Sequence, residues 1–180
     1  AKALAELIQF TEALPLIQSF KDFTLTTVIH AQLGEIAFGT TPGKAEFRAT
    51  LRAFVNDDLE KLKTHIEEKT AQLSKKYGLK TTVTYNDYFP ANINDPEATD
   101  FVINAAKHLK LNVSQPKTAF RWSEDFAHYS HEFQSVLFGI GSGVEQSELH
   151  SNDFDFPDEV VDTGIKMFEQ IIKAANKQTT

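Results

Sequence analysis

Two stretches of this chain concentrate side chains able to do chemistry. Ser123-Glu124-Asp125-Phe126-Ala127-His128-Tyr129-Ser130-His131 sets two imidazoles at i, i+3 behind two carboxylates. Glu148-Leu149-His150-Ser151-Asn152-Asp153-Phe154-Asp155-Phe156-Pro157-Asp158 sets one imidazole among acids. Neutral imidazole with carboxylates is a donor set that zinc and similar divalent ions accept, so His150 with its acids is a candidate metal-binding group. The same loop also reads as a solvated acidic stretch whose Asp and Asn residues make turns. His128 and His131 share a helix face, as a metal pair would or as a partly exposed, hydrogen-bonded pair would. Arg52 stands at the end of a strand on its polar face. A bidentate guanidinium there can hold a substrate carboxylate, or with Arg48 simply solvate an exposed sheet face. Gly139-Ile140-Gly141-Ser142-Gly143 follows an apolar run, but no helix opens after it, so it fails as a phosphate cradle. Serine-elbow, His-Glu-x-x-His and phosphate-loop motifs are all absent.

The elements that must position these groups follow from periodicity. Leu4, Leu7, Ile8 and Thr11 predict an opening helix over Lys2 to Ala13, limited by Pro15. No cap residue precedes it, and the expectation is that the chain begins inside something larger. A strand follows in which Leu25, Thr27, Ile29, Ala31 and Leu33 share a face. Phe38 to Gly43 is a loop. Ala45, Phe47, Ala49, Leu51 and Ala53 alternate strictly with Lys44, Glu46, Arg48, Thr50 and Arg52, the clearest strand in the sequence. Asn56 is expected to cap a helix that buries Leu59, Leu62, Ile66, Leu73 and Tyr77 and stops at Gly78. Thr81 to Tyr88 reads as a further strand. The first half is therefore α-β-β-α-β, a split β-α-β-β-α-β sandwich without its first strand.

The second half starts near Phe89-Pro90. Asn94-Asp95-Pro96 caps a helix carrying Phe101, Val102, Ala105 and Leu109. Thr118 to Arg121 is a short strand candidate, and Ser123 is expected to cap a short helix to about Phe133. Ser135 to Ile140 reads as a strand buried on both faces. The long loop from Gly141 to Pro157 exceeds a plain connector. It follows a buried strand, where open α/β sheets place ligands. A last helix from Asp158-Glu159 is expected to bury Val161, Ile165, Phe168 and Ile172.

Composition narrows the function classes. The 180 residues carry a net charge of −7, with 41% hydrophobic and 24% charged residues. That is a globular chain large enough for a real core. Its acidity argues against nucleic acid or an anionic membrane as the main partner. No apolar run approaches a membrane span, and the opening residues, broken by Glu6 and Gln9, are not expected to act as a secretory signal. The absence of cysteine excludes disulfides, thiolate metal sites and cysteine nucleophiles, and leaves the compartment open, with the cytoplasm as the expectation.

The element order, Pro42 in its loop, Ala45-x-Phe47-x-Ala49-Thr50-Leu51-Arg52, Ser123-Glu124-Asp125-Phe126 and Leu149-His150-Ser151-x-Asp153-Phe154-Asp155-Phe156-Pro157-Asp158-Glu159 together resemble the M20 metallopeptidases. Within that group the likeness is to the amidohydrolase branch of aminoacylase-like and hippurate-hydrolase-like enzymes. The resemblance implies an α/β fold of two parts. Residues 1–88 would be a ferredoxin-like, two-layer α/β lid, first strand missing, through which subunits form a homodimer. Residues 89–180 would be the C-terminal part of a zinc-peptidase-like catalytic domain. It places His150 at the family's C-terminal metal ligand and Arg52 at the lid arginine that engages a substrate carboxylate. Glu124 and Asp125 would then orient His150. Gly39 departs from the pattern: it stands three residues before Pro42, where the family commonly has Asn, and lacks an amide for substrate or intermediate.

The family's other metal ligands and its general-base Glu precede the lid. Zinc catalysis needs at least three protein ligands and a base for the water. The expectation is thus a fragment of a hydrolase acting on amide bonds of N-acyl amino acids or small peptides, inactive alone. Its divalent metal, zinc, would bind tightly only in the complete parent. The competing reading is a non-enzymatic binding or dimerisation module on the same α/β sandwich.

Overall fold

The computed structural model describes residues 1–122, 124–149 and 151–178, with the backbone only of residues 177 and 178. The chain divides into two compact units, one of Ala1–Ala91 with Ala119–Ser123 and one of Asn92–Thr118 with Glu124–Thr180. The first contains α1 (Lys2–Ile17), β1 (Thr24–Leu33), β2 (Ala45–Ala53) and α2 (Asn56–Tyr77). The second contains α3 (Pro96–His108), α4 (Ala127–Ser130) and α5 (Glu159–Gln178).

In the first unit β1 and β2 form an antiparallel two-stranded sheet, and α1 and α2 cover one face of it. Leu14 of α1 and Leu62 and Ile66 of α2 meet Leu51 and Ala53 of β2 in a common apolar cluster. The alternation of β2 is therefore phased as its sequence predicts: Leu51 turns to the helices, and Arg48 stays in solvent, paired with Glu46 at 2.5 Å. The face of β1 differs from expectation. Val28 pairs with Ala49 and His30 with Arg48, so Ile29 is an extra, bulged residue. A bulge exchanges the faces on either side of it. Leu25 and Thr27 consequently lie opposite Ala31 and Leu33 rather than beside them.

Pro15 does not end α1, which continues to Ile17. Proline lacks the N–H that would bond the carbonyl of Thr11. That carbonyl accepts instead from the Thr26 hydroxyl of β1 at 2.5 Å, within the buried layer. Nor does Asn56 cap α2; it is the first helical residue, and its side-chain oxygen accepts the Ala91 N–H at 2.6 Å. The buried group at that helix start is Asp58, which accepts the backbone N–H groups of Lys21 and Asp22 at 3.0 and 2.9 Å and ties down the α1–β1 connection. Gly78 ends α2 as expected, at φ 64°, a left-handed conformation that glycine adopts without a Cβ clash. Residues 81–88 form no strand. Strand composition needs a neighbouring backbone to pair with, and this segment lies along α2 instead, with Lys63 over the rings of Tyr85 and Tyr88.

In the second unit Asp95 caps α3 by accepting the Ala98 N–H at 2.8 Å, with Pro96 at the first helical position. Val102, Ala105 and Ala106 of α3 bury against Met167 of α5, with Val136 and Phe138 alongside. The expected burial of Val161, Ile165, Phe168 and Ile172 is not observed; all four are exposed, Ile165 at 61%. The covered stripe of α5 is the one displaced by one residue, centred on Met167, a flexible side chain that fills the gap left by the small Ala105 and Ala106. Residues 135–140 run alongside without a strand partner among the described residues. Asn94 takes the partner's place: its side chain donates to and accepts from the backbone of Leu137, both at 2.9 Å. The candidate strand at Thr118 to Arg121, whose residues from Ala119 on belong to the first unit, is likewise absent. The short helix is one turn, started at Phe126, and hydrogen-bonded turns carry it to Phe133.

Candidate functional site

Arg52 pairs with Leu25 across the sheet. Since Leu51 and Ala53 point to the helices, Arg52 projects from the opposite face. Its Nη1 donates to the backbone carbonyl of Arg121 at 2.7 Å, which fixes the 119–123 segment against the end of β2. The Arg121 guanidinium lies 4.9 Å from the centroid of the Phe23 ring. Phe23 in turn packs against Phe54 at 4.8 Å. Phe120 and Trp122, two residues apart, stack with centroids 4.1 Å apart and an interplanar angle of 12°. These residues, with Leu51, Leu59 and Phe89, line one cleft within the first unit. No carboxylate lines it, and neither arginine enters an ion pair among the described residues. Two arginines lining an aromatic cleft can hold a carboxylate by charge-assisted hydrogen bonds.

Glu124 and Asp125 belong to the second unit. Their carbonyls accept the N–H groups of Ala127 and His128 at 3.1 and 3.0 Å, forming the turn into α4, and both residues are exposed. Ala127 is the buried anchor of this turn. His150 and Ser123 lie outside the described residues. Among its described neighbours, Ser151 N–H donates to the Glu148 carbonyl at 3.0 Å, Phe154 N–H to the Ser151 carbonyl at 3.2 Å, and the Gln146 amide to the Asp155 carbonyl. Among the described residues, no three His, Asp or Glu side chains come together to hold a metal ion.

Gly39, in the loop between β1 and β2, has φ 77°, a left-handed conformation that glycine takes freely. Arg121 and Trp122 are the site residues that pattern reading passed over. Their signal was present: a basic residue between two aromatics, one of them the only tryptophan in the chain. Reading the segment as a strand concealed it.

The family model of peptidase family M20/M25/M40 matches residues 13–174. An uncharacterised hydrolase of Staphylococcus epidermidis is 22% identical over 150 residues, covering 80% of this chain and 39% of the relative. The crystal structure of a candidate aminohydrolase from methicillin-resistant Staphylococcus aureus superposes with a TM-score of 0.72 at 22% identity, covering 95% of this chain and 45% of that one. The Bacillus subtilis YXEP protein, a dinuclear metal-binding peptidase of the M20 family, gives a TM-score of 0.67 at 17% identity, covering 94% and 44%. The two structures establish a shared α/β fold, and the chain spans about two fifths of the curated relative's length. No described helix is long and apolar enough to cross a membrane. With nine tenths of its length matched by one family model, the chain belongs to peptidase family M20/M25/M40.

Proposed function

We propose that this chain is the C-terminal portion of a metal-dependent hydrolase that cleaves amide bonds in N-acyl amino acids or small peptides, on the aminoacylase- or hippurate-hydrolase-like branch. Residues 1–88 act as its lid and dimerisation part, and residues 89–180 as part of its catalytic domain. A divalent metal, zinc, supplies the activated water when bound. His150 is its one ligand from this chain, oriented by Glu124 and Asp125, and the remaining ligands and the general base lie outside these 180 residues. Arg52 holds the substrate carboxylate. The chain alone is then inactive.

The observation that carries this reading is the family match across residues 13–174 together with an Arg52 guanidinium that no acid neutralises among the described residues. The test is hydrolysis by the whole hydrolase containing these residues. Arg52→Ala should raise KM about 10- to 100-fold for N-acetyl amino acids, with kcat little changed, as loss of a charge-assisted hydrogen bond does. The corresponding amino-acid amides, which lack the carboxylate, should be unaffected. An equal effect on both substrates would contradict the assignment.

A further inference from the structure

We infer that the cleft beside Arg52 recognises a carboxylate joined to an aromatic ring by a short alkyl chain, with Arg121 as its second cationic contact and the Phe120–Trp122 stack as its wall. The inference rests on the proposal that Arg52 faces substrate, and adds the substrate class and the residues that select it.

The charge argument comes first. In a chain of net charge −7, two arginines share one cleft that no acid lines. Both residues line the cleft and neither has a carboxylate partner among the described residues, so an anion placed there is stabilised by two positive charges. Among the described residues one Arg52 donor is engaged, with the Arg121 carbonyl, and that bond carries Arg121 to the same strand end. Phe23 beneath the Arg121 guanidinium fixes the second cation in place.

The ring argument is independent of charge. Phe120 and Trp122 remain 45% and 52% exposed even though they stack on each other. Flat aromatic surface left in water next to a cleft gains by covering with another flat apolar group. An aliphatic acid would meet the cations and leave the stack bare. A neutral arene would cover the stack and leave the cations bare. An arylalkyl carboxylate satisfies both.

Trp122 is the chain's only tryptophan, so its fluorescence reports the cleft directly. Titrated into the 180-residue chain, 3-phenylpropionate should change that emission saturably. The neutral 3-phenylpropionamide and the ring-free butyrate should each bind about tenfold or more weakly. Arg121→Gln should abolish the preference for acid over amide, and Arg121→Lys should keep part of it. Equal binding of acid and amide, or an acid preference unchanged in Arg121→Gln, would overturn the inference. Should Arg121→Gln fail to fold, the three-ligand comparison on the unmodified chain decides alone. The titration involves neither metal nor hydrolysis, so its failure leaves the hydrolase proposal standing, and failure of that proposal leaves this result readable.

Discussion

The two long helices, α2 in the first unit and α5 in the second, handle their apolar residues differently. α2 turns one stripe, Leu62, Ile66, Thr70 and Leu73, into its unit and leaves a charged surface outside. α5 carries two parallel stripes, Val160, Gly164, Met167, Ile171 and Val161, Ile165, Phe168, Ile172, each at steps of four, three and four residues. Only the first is covered, and Met167 is 2% exposed where Ile165 is 61% exposed. A helix with one stripe specifies its own docking face. A helix with two leaves the choice to its neighbours, and here α3 covers one.

That contrast is breakable by substitution. The largest effect is expected from Leu62→Ala, which removes a fully buried side chain and should cost about 2–5 kcal/mol in denaturant unfolding. Ile165→Ala in the same chain should stay within about 0.5 kcal/mol, because its site is already in water. A comparable loss from both would erase the difference between the helices. Asp58→Ala comes next. It strips the acceptor from two backbone N–H groups and should cost about 1.5–3 kcal/mol, with faster amide exchange at Lys21 and Asp22. Thr26→Val should cost about 1 kcal/mol by leaving the Thr11 carbonyl beside Pro15 without its donor.

The smallest effect is electrostatic and joins α1 to α2. The Tyr77 hydroxyl, and then Lys76, hold the Glu6 carboxyl below its ordinary 4.5. A depressed carboxylate stabilises the fold above its ordinary range and loses that contribution as pH falls through its folded value. The difference in Tm between the native chain and Glu6→Gln should therefore be present near neutrality and shrink on acidification through and below 4.5. A difference constant across that window would remove Glu6 from the account.

What was legible in the sequence was local. The β2 alternation, the Asp95–Pro96 start of α3 and the Gly78 stop of α2 depend on neighbours within a few residues, and they appear where the pattern puts them. What was not legible depends on partners distant in sequence. Residues 81–88 and 135–140 have strand composition, yet a ladder needs a second backbone; one packs on α2 and the other is held by the Asn94 side chain. The bulge at Ile29 leaves no mark in the residue pattern of β1, and it divides a face that the pattern makes continuous. At the site, the Arg52 position on the outer sheet face followed from alternation alone. The approach of Arg121 across 69 residues did not.

The central proposal is that this chain supplies His150 to a metal centre completed by residues outside it. Zinc calorimetry tests that proposal most directly, performed on the 180-residue chain and on the whole hydrolase that contains it. One imidazole cannot offset the dehydration of a divalent ion, so the chain alone should bind weakly. The whole protein should bind tightly and stoichiometrically, and His150→Ala should abolish the tight site. Tight stoichiometric binding by the 180-residue chain alone, unchanged by His150→Ala, would contradict the account.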